Sequence, residues 1–150
     1  MSLFSAAADA MAVNTGSLQT LLEVDQAASR VLTLKQWSLE FDGVTASNIP
    51  VRVQLGIVTA ASAAGTAVTP AAMRQLQPAV AAAAKKLPAS EGTFVMLEEH
   101  RIPPTTGILI QYPLGEEPFV LGAGASASGV ALRAQAAQAV NATATMEWEE

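Results

Sequence analysis

At 150 residues the chain is long enough for one domain with its own core, and 51% of it is apolar. Only 14% of its residues are charged, the net charge is −5, and the single adjacent cationic pair is Lys85-Lys86, a poor match for a phosphate backbone that rewards clustered cations. With no cysteine, disulfides and thiolate metal sites are excluded, and so sparse a charge predicts that part of the surface is covered in an assembly.

In chain order, the first sixteen residues lack a basic region and a continuous apolar run and carry Asp9 early, so they are expected to form an N-terminal arm (1–16) rather than a signal peptide. Leu3, Phe4, Met11 and Val13 in this arm have no evident strand partner, and removal of 1–16 is expected to leave a folded domain. The domain proper is expected over 17–150. No run of about 18 apolar residues occurs, so no membrane-spanning segment is expected.

Leu18 to Val24 reads as a strand, closed by a turn at Asp25-Gln26. Val31 to Phe41 is extended, but Leu32 and Leu34 are apolar at even positions whereas Trp37, Leu39 and Phe41 are odd. A bulge near Lys35-Gln36 reconciles the two phases, as does a long strand buried first on one face and then on the other. Asp42-Gly43 follows as a tight turn, with glycine supplying positive φ. Ile49 to Ile57 alternates apolar and polar residues without interruption, the mark of a strand with one buried face, and Pro50 belongs at its start or along a free edge.

Residues 58–90 are rich in Ala, Thr, Ser, Gly and Pro and predict an extended loop or short-helix insertion. Thr69-Pro70 suits the opening of a helical turn, and Pro78 to Lys86 a second short helix with lysines at its C-terminal end. Beyond it, strands are expected at Thr93 to Glu99, Gly107 to Tyr112, Pro118 to Leu121, Gly129 to Ala134 and Ala142 to Glu149. Pro103-Pro104, Pro113-Leu114-Gly115 and the Gly122/Gly124 stretch are the turns between them. About eight short strands with this punctuation predict an all-β chain folded as a single β-sandwich or jelly roll.

Residues fit for catalysis are scarce. The one histidine, His100, stands in Glu98-Glu99-His100-Arg101, where it reads as the end of a strand among solvated charges more readily than as a general base. No G-x-S-x-G occurs, and Glu116-Glu117 sit on a predicted turn. Gly122-Ala123-Gly124-Ala125-Ser126-Ala127 fits the G-x-G-x-x-A pattern of a dinucleotide site, with Glu147 as the ribose acid. Yet Gly129 weakens the helix that pattern needs, and Val130, Leu132 and Ala134 alternate like a strand, so a glycine-rich turn is expected instead. No catalytic, cofactor-binding or metal-ligating residues are assigned, no cofactor is expected, and neither nucleic acid nor membrane is expected as a partner.

Taken in order, several segments resemble the auxiliary, capsid-decorating proteins encoded among the head genes of long-tailed bacteriophages, including those of actinobacteria. They are Trp37-Ser38-Leu39-Glu40-Phe41-Asp42-Gly43, Pro50-Val51-Arg52-Val53-Gln54-Leu55, the insertion with Thr69-Pro70, and Leu97-Glu98-Glu99-His100-Arg101-Ile102-Pro103-Pro104. Tyr112-Pro113-Leu114-Gly115-Glu116-Glu117 and Met146-Glu147-Trp148-Glu149-Glu150 complete the set, and the likeness spans most of residues 18–150. The resemblance implies a sandwich or jelly-roll protein without an active site. It implies a place on the capsid exterior, in contact with the major capsid protein and with further copies of itself, a trimer being the first expectation and a dimer the second.

Under that reading the expected interface residues are Leu3, Phe4, Met11 and Val13 in the arm, and Met73, Leu76 and Val80 in the insertion. The rival expectation is a receptor- or glycan-binding module on the virion or tail surface. Such a module needs aromatics for stacking, and with Trp37 and Trp148 placed in strand cores only Tyr112 and Phe119 are free for it.

Overall fold

The computed structural model describes residues 1–27, 30–43, 49–122 and 128–150. These residues contain no helix; their strands are β1 (Leu3–Ala12), β2 (Gln19–Gln26), β3 (Val31–Phe41), β4 (Val51–Ala60), β5 (Thr66–Val68) and β6 (Ala71–Ala72), then β7 (Ala83–Lys86), β8 (Thr93–Ile102), β9 (Gly107–Gln111), β10 (Phe119–Leu121), β11 (Ser128–Gln135) and β12 (Asn141–Glu149). All pair antiparallel in two six-stranded sheets. In one, the order is β10-β3-β12-β1-β6, with β9 beside β10 on the same edge of β3; in the other it is β5-β7-β2-β11-β4-β8. The chain is therefore all-β.

Two crossovers make the centre. The path from β2 to β3 changes sheets, and so does the path from β11 to β12, while β11 pairs with β2 and β12 with β3. The inward residues of both sheets share one core around Trp37, Trp148, Leu34, Leu39, Met146, Leu55, Val130 and Leu132. Within it the Phe4 and Trp148 rings tilt against each other at 6.2 Å between centroids.

The phase change in β3 is a bulge: Glu147 faces Gln36 and Trp148 faces Leu34, so Lys35 is the extra residue. That one insertion brings Leu32 and Leu34 to the same buried face as Trp37, Leu39 and Phe41. Gly43 has φ +56°, and a Cβ there would meet the Pro104 carbonyl at 2.9 Å, so the predicted glycine turn has both a conformational and a steric cause.

Three expectations are corrected. The N-terminal arm is a strand: β1 pairs with β12 on one side and β6 on the other, and Phe4, Met11 and Val13 are core residues. Its inward positions Ala6 and Ala8 are too small to advertise a strand, and a bulge between Ala8 and Met11, with Ala10 at φ +49°, breaks the alternation.

The insertion holds no helix; its segments join sheet edges as β5, β6 and β7. Ala82 and Ala84 turn inward, so small side chains close the edge where bulky ones would hold the sheets apart. Asp25 and Gln26 make no turn but complete β2, which is buried on both faces from Thr20 to Gln26. The eight predicted strands are all present, and β1, β5, β6 and β7 raise the count among the described residues to twelve.

Candidate functional site

Strand β8 is an edge of one sheet, and β9 lies on an edge of the other. Pairing with β4 sets Glu98 opposite Leu55 and His100 opposite Val53, so both polar side chains point toward the core face rather than away from it. Trp37, from β3, meets them from the other sheet. Its Nε1 donates to the Tyr112 hydroxyl at 3.1 Å, that hydroxyl donates to Glu98, and the other Glu98 oxygen lies 2.9 Å from His100 Nε2. The imidazole then returns to the Trp37 ring at 5.7 Å between centroids.

Burial, and next the hydrogen bond to Glu98, push the Tyr112 hydroxyl well above its usual range, so it acts as a donor throughout neutral pH. The circuit closes on itself and bolts the two edges together. His100 is thus half-buried in a cross-sheet network, not a solvated strand end, and Tyr112 is occupied rather than free for stacking.

Beside this bolt runs an open groove of about 540 Å³, lined by Ile57, Leu97, Tyr112, Pro118 and Phe119, with Glu98, Glu116 and Glu117 along it. The 113–118 turn is held to β3 through the bulge, because Tyr112 N donates to the Lys35 carbonyl at 3.0 Å and Leu34 N to that of Pro118 at 2.9 Å. Lys35 Nζ adds ion pairs to Glu117 at 2.8 Å and Glu149 at 2.9 Å, and its hydrogen bond to Glu117 holds that carboxyl below the usual range. Glu116 stays exposed on the rim.

A second cluster lies on the outer face of the other sheet, under the 61–65 and 87–92 segments, which meet at the Ala63–Ser90 bridge. Glu23 is fully buried; it accepts from Ser62 N at 2.9 Å and from Ser62 Oγ at 2.5 Å. Lys85 Nζ reaches Asp25 at 2.6 Å, Glu23 at 3.2 Å and the Ser62 carbonyl at 2.7 Å.

Burial raises the Asp25 carboxyl to about 6, against the pull of Lys85 and with the help of Glu23. Burial works in the same sense on Glu23, but its hydrogen bonds with Ser62 and Asp25 outweigh it and leave that carboxyl below the usual range. Arg133 stacks over the Phe94 ring at 4.0 Å and pairs with Glu91 at 3.0 Å, and Glu91 accepts from Thr20 N at 2.8 Å. These bonds fasten the covering loops to the sheet. Among the described residues no group of three or more His, Asp or Glu is placed to hold a metal ion.

The expected interface residues divide. Phe4, Met11 and Val13 are buried and Leu3 and Val80 half-buried, whereas Met73 and Leu76 are exposed. Of the G-x-G-x-x-A stretch, 123–127 lies outside the described residues, and the helix that reading required is strand β11. Sequence reasoning missed both polar clusters. Their signal was the two-residue spacing of Glu23 and Asp25, and of Glu98 and His100, which sets each pair on one face of a strand. Nothing in the sequence marks Tyr112 as the partner of Trp37. Comparison with known protein families, with curated proteins and with solved structures finds no match in any of the three.

Proposed function

We propose that the chain is a non-enzymatic virion structural protein, a jelly-roll-like sandwich that decorates the outside of a phage capsid and stabilises it by packing against the major capsid protein and further copies of itself. One observation supports this reading above others: large apolar side chains stand exposed on edge strands and turns, among them Val95, Met96, Leu97, Leu114, Phe119 and Leu121, in a chain with few charges. The residues suited to acid–base work are engaged in bonds that hold strands and loops together. Many copies on one particle multiply a modest contact through avidity.

The test is quantitative mass spectrometry of purified phage particles whose genome encodes the chain, with antibody labelling in electron microscopy. Hundreds of copies per particle, labelled over the capsid, are expected. Tens of copies at the tail favour the receptor- or glycan-binding reading, for which the exposed Phe119 in the groove is the one available aromatic platform. Absence from the particle overturns both.

A further inference from the structure

At the edge opposite the groove, the chain presents a knob. After β6 the backbone turns over 73–77, and Leu76 at its tip is wholly exposed while held at φ +62°, a left-handed conformation that bulky side chains disfavour. The turn is clamped. The Gln77 side-chain amide accepts from Leu3 N at 2.9 Å and donates to Leu3 O at 2.7 Å, and Met73 N donates to the same carbonyl at 3.0 Å. Gln77 therefore stands in for a strand partner of β1, and nothing among the described residues covers the Leu76 side chain that the turn displays. Met73 is exposed beside it, and Arg74 is one of only two cations, with Arg30, that make no ion pair among the described residues.

The groove has the complementary character: concave where the turn is convex, apolar at Ile57, Leu97, Pro118 and Phe119, and edged by the exposed Glu116. Groove and knob cannot meet within one molecule. Strand β10 and strand β6 are the two edges of one sheet, four strand spacings apart, or about 19 Å.

The geometry points to head-to-tail self-association, in which the Met73–Gln77 turn of one copy seats Leu76 in the groove beside Phe119 of the next and sets Arg74 against Glu116. Such a contact is heterologous: it closes into a ring if the rotation permits and otherwise extends as a chain. The inference rests on the reading that this protein acts by packing, and it names the surface used between copies. Contact with the capsid is a separate matter, so the purified chain alone tests it.

The chain has no native cysteine, which makes cross-linking direct. Leu76→Cys and Phe119→Cys single variants, each at an exposed position, are mixed in equal amounts under mild oxidant. A disulfide-linked dimer is expected in the mixture well above the level in either variant alone, and a ladder or closed ring from the double variant. In sedimentation, Arg74→Glu or Glu116→Arg is expected to weaken self-association about tenfold, and the double reversal to recover most of it. Circular dichroism confirms that each variant is folded. A wild-type chain that stays monomeric, or a mixture that cross-links no more than its components, overturns the proposal even where the chain proves to coat capsids.

Discussion

Asp25→Asn tests whether the buried acidic cluster is a strained site or a stabilising ion pair. The Asp25 carboxyl is held at about 6 against 3.8 for an ordinary aspartate. A group whose folded pKa is raised binds its proton more tightly in the native state. Its contribution is therefore fully present below about pH 4 and is lost as pH rises through about 6. Integrating that linkage, wild-type stability contributed by this site falls by about 1.4 kcal/mol between about pH 5 and pH 7.5.

Glu23 shifts in the opposite direction, so its contribution is lost only on acidification below the usual glutamate range, outside this window. Asparagine keeps the shape and removes the charge, while Lys85 retains Glu23 at 3.2 Å and the Ser62 carbonyl at 2.7 Å. Asp25→Asn is thus expected to equal or exceed wild-type stability at pH 7.5, by up to about 2 kcal/mol, and to lose the decline between pH 5 and 7.5. Urea unfolding followed by the fluorescence of Trp37 and Trp148, both buried, measures this at each pH. A variant at least 2 kcal/mol less stable than wild type at pH 7.5, or one with the wild-type pH slope, refutes the reasoning.

Trp37 and Trp148 are both buried, but Trp37 Nε1 donates to Tyr112 while Trp148 Nε1 has no hydrogen-bond partner among the described residues. Trp37→Phe is expected to cost about 1 kcal/mol more than Trp148→Phe in urea unfolding, and equal or reversed costs count against the cross-sheet bolt. At Gly129 an added Cβ would lie 2.3 Å from the Val24 carbonyl and 2.7 Å from Asp25 Oδ1, so Gly129→Ala should lower stability by about 3 kcal/mol, read as a drop in Tm. Removing residues 1–16 takes away β1, with Phe4 and Met11, and is expected to abolish cooperative unfolding; a truncated chain with a native-like thermal transition would show that β12 needs no partner on that side.

Where the side chains on a strand are large and alternate with polar ones, the sequence announces the fold. Val51, Val53 and Leu55 against Arg52 and Gln54 read at once as a strand, although Gln54 is itself buried and the register shifts at Leu55/Gly56, so that Ile57 is only half-buried. In β3 the clash of phases between Leu34 and Trp37 left two readings, of which the structure shows the bulge, at Lys35. The strands that escaped notice do so for a physical reason. In β1 and β7 many of the inward residues are alanines, Ala6, Ala8 and Ala84 among them, whose burial contributes little free energy each and whose pattern resembles a helix former's as much as a strand's. Their identity as strands comes from what they pair with: β1 finds β12 more than a hundred residues away in sequence, and β7 finds β2.

The same non-local pairing explains the missed sites. Glu23, Asp25 and Lys85 look like scattered surface charges until β7 is laid beside β2, and His100 looks solvated until Trp37 and Tyr112 arrive from the other sheet. It also reverses the meaning of the expected contact residues. Phe4, Met11 and Val13 are apolar because they belong to the core, so their hydrophobicity says nothing about a partner. Leu76 and Met73 have no such internal account, and the two hydrogen bonds of Gln77 to Leu3 hold them in place at the surface. An apolar residue held exposed by hydrogen bonds in a disfavoured conformation is the stronger evidence of a contact, since the fold alone gives it no reason to be there.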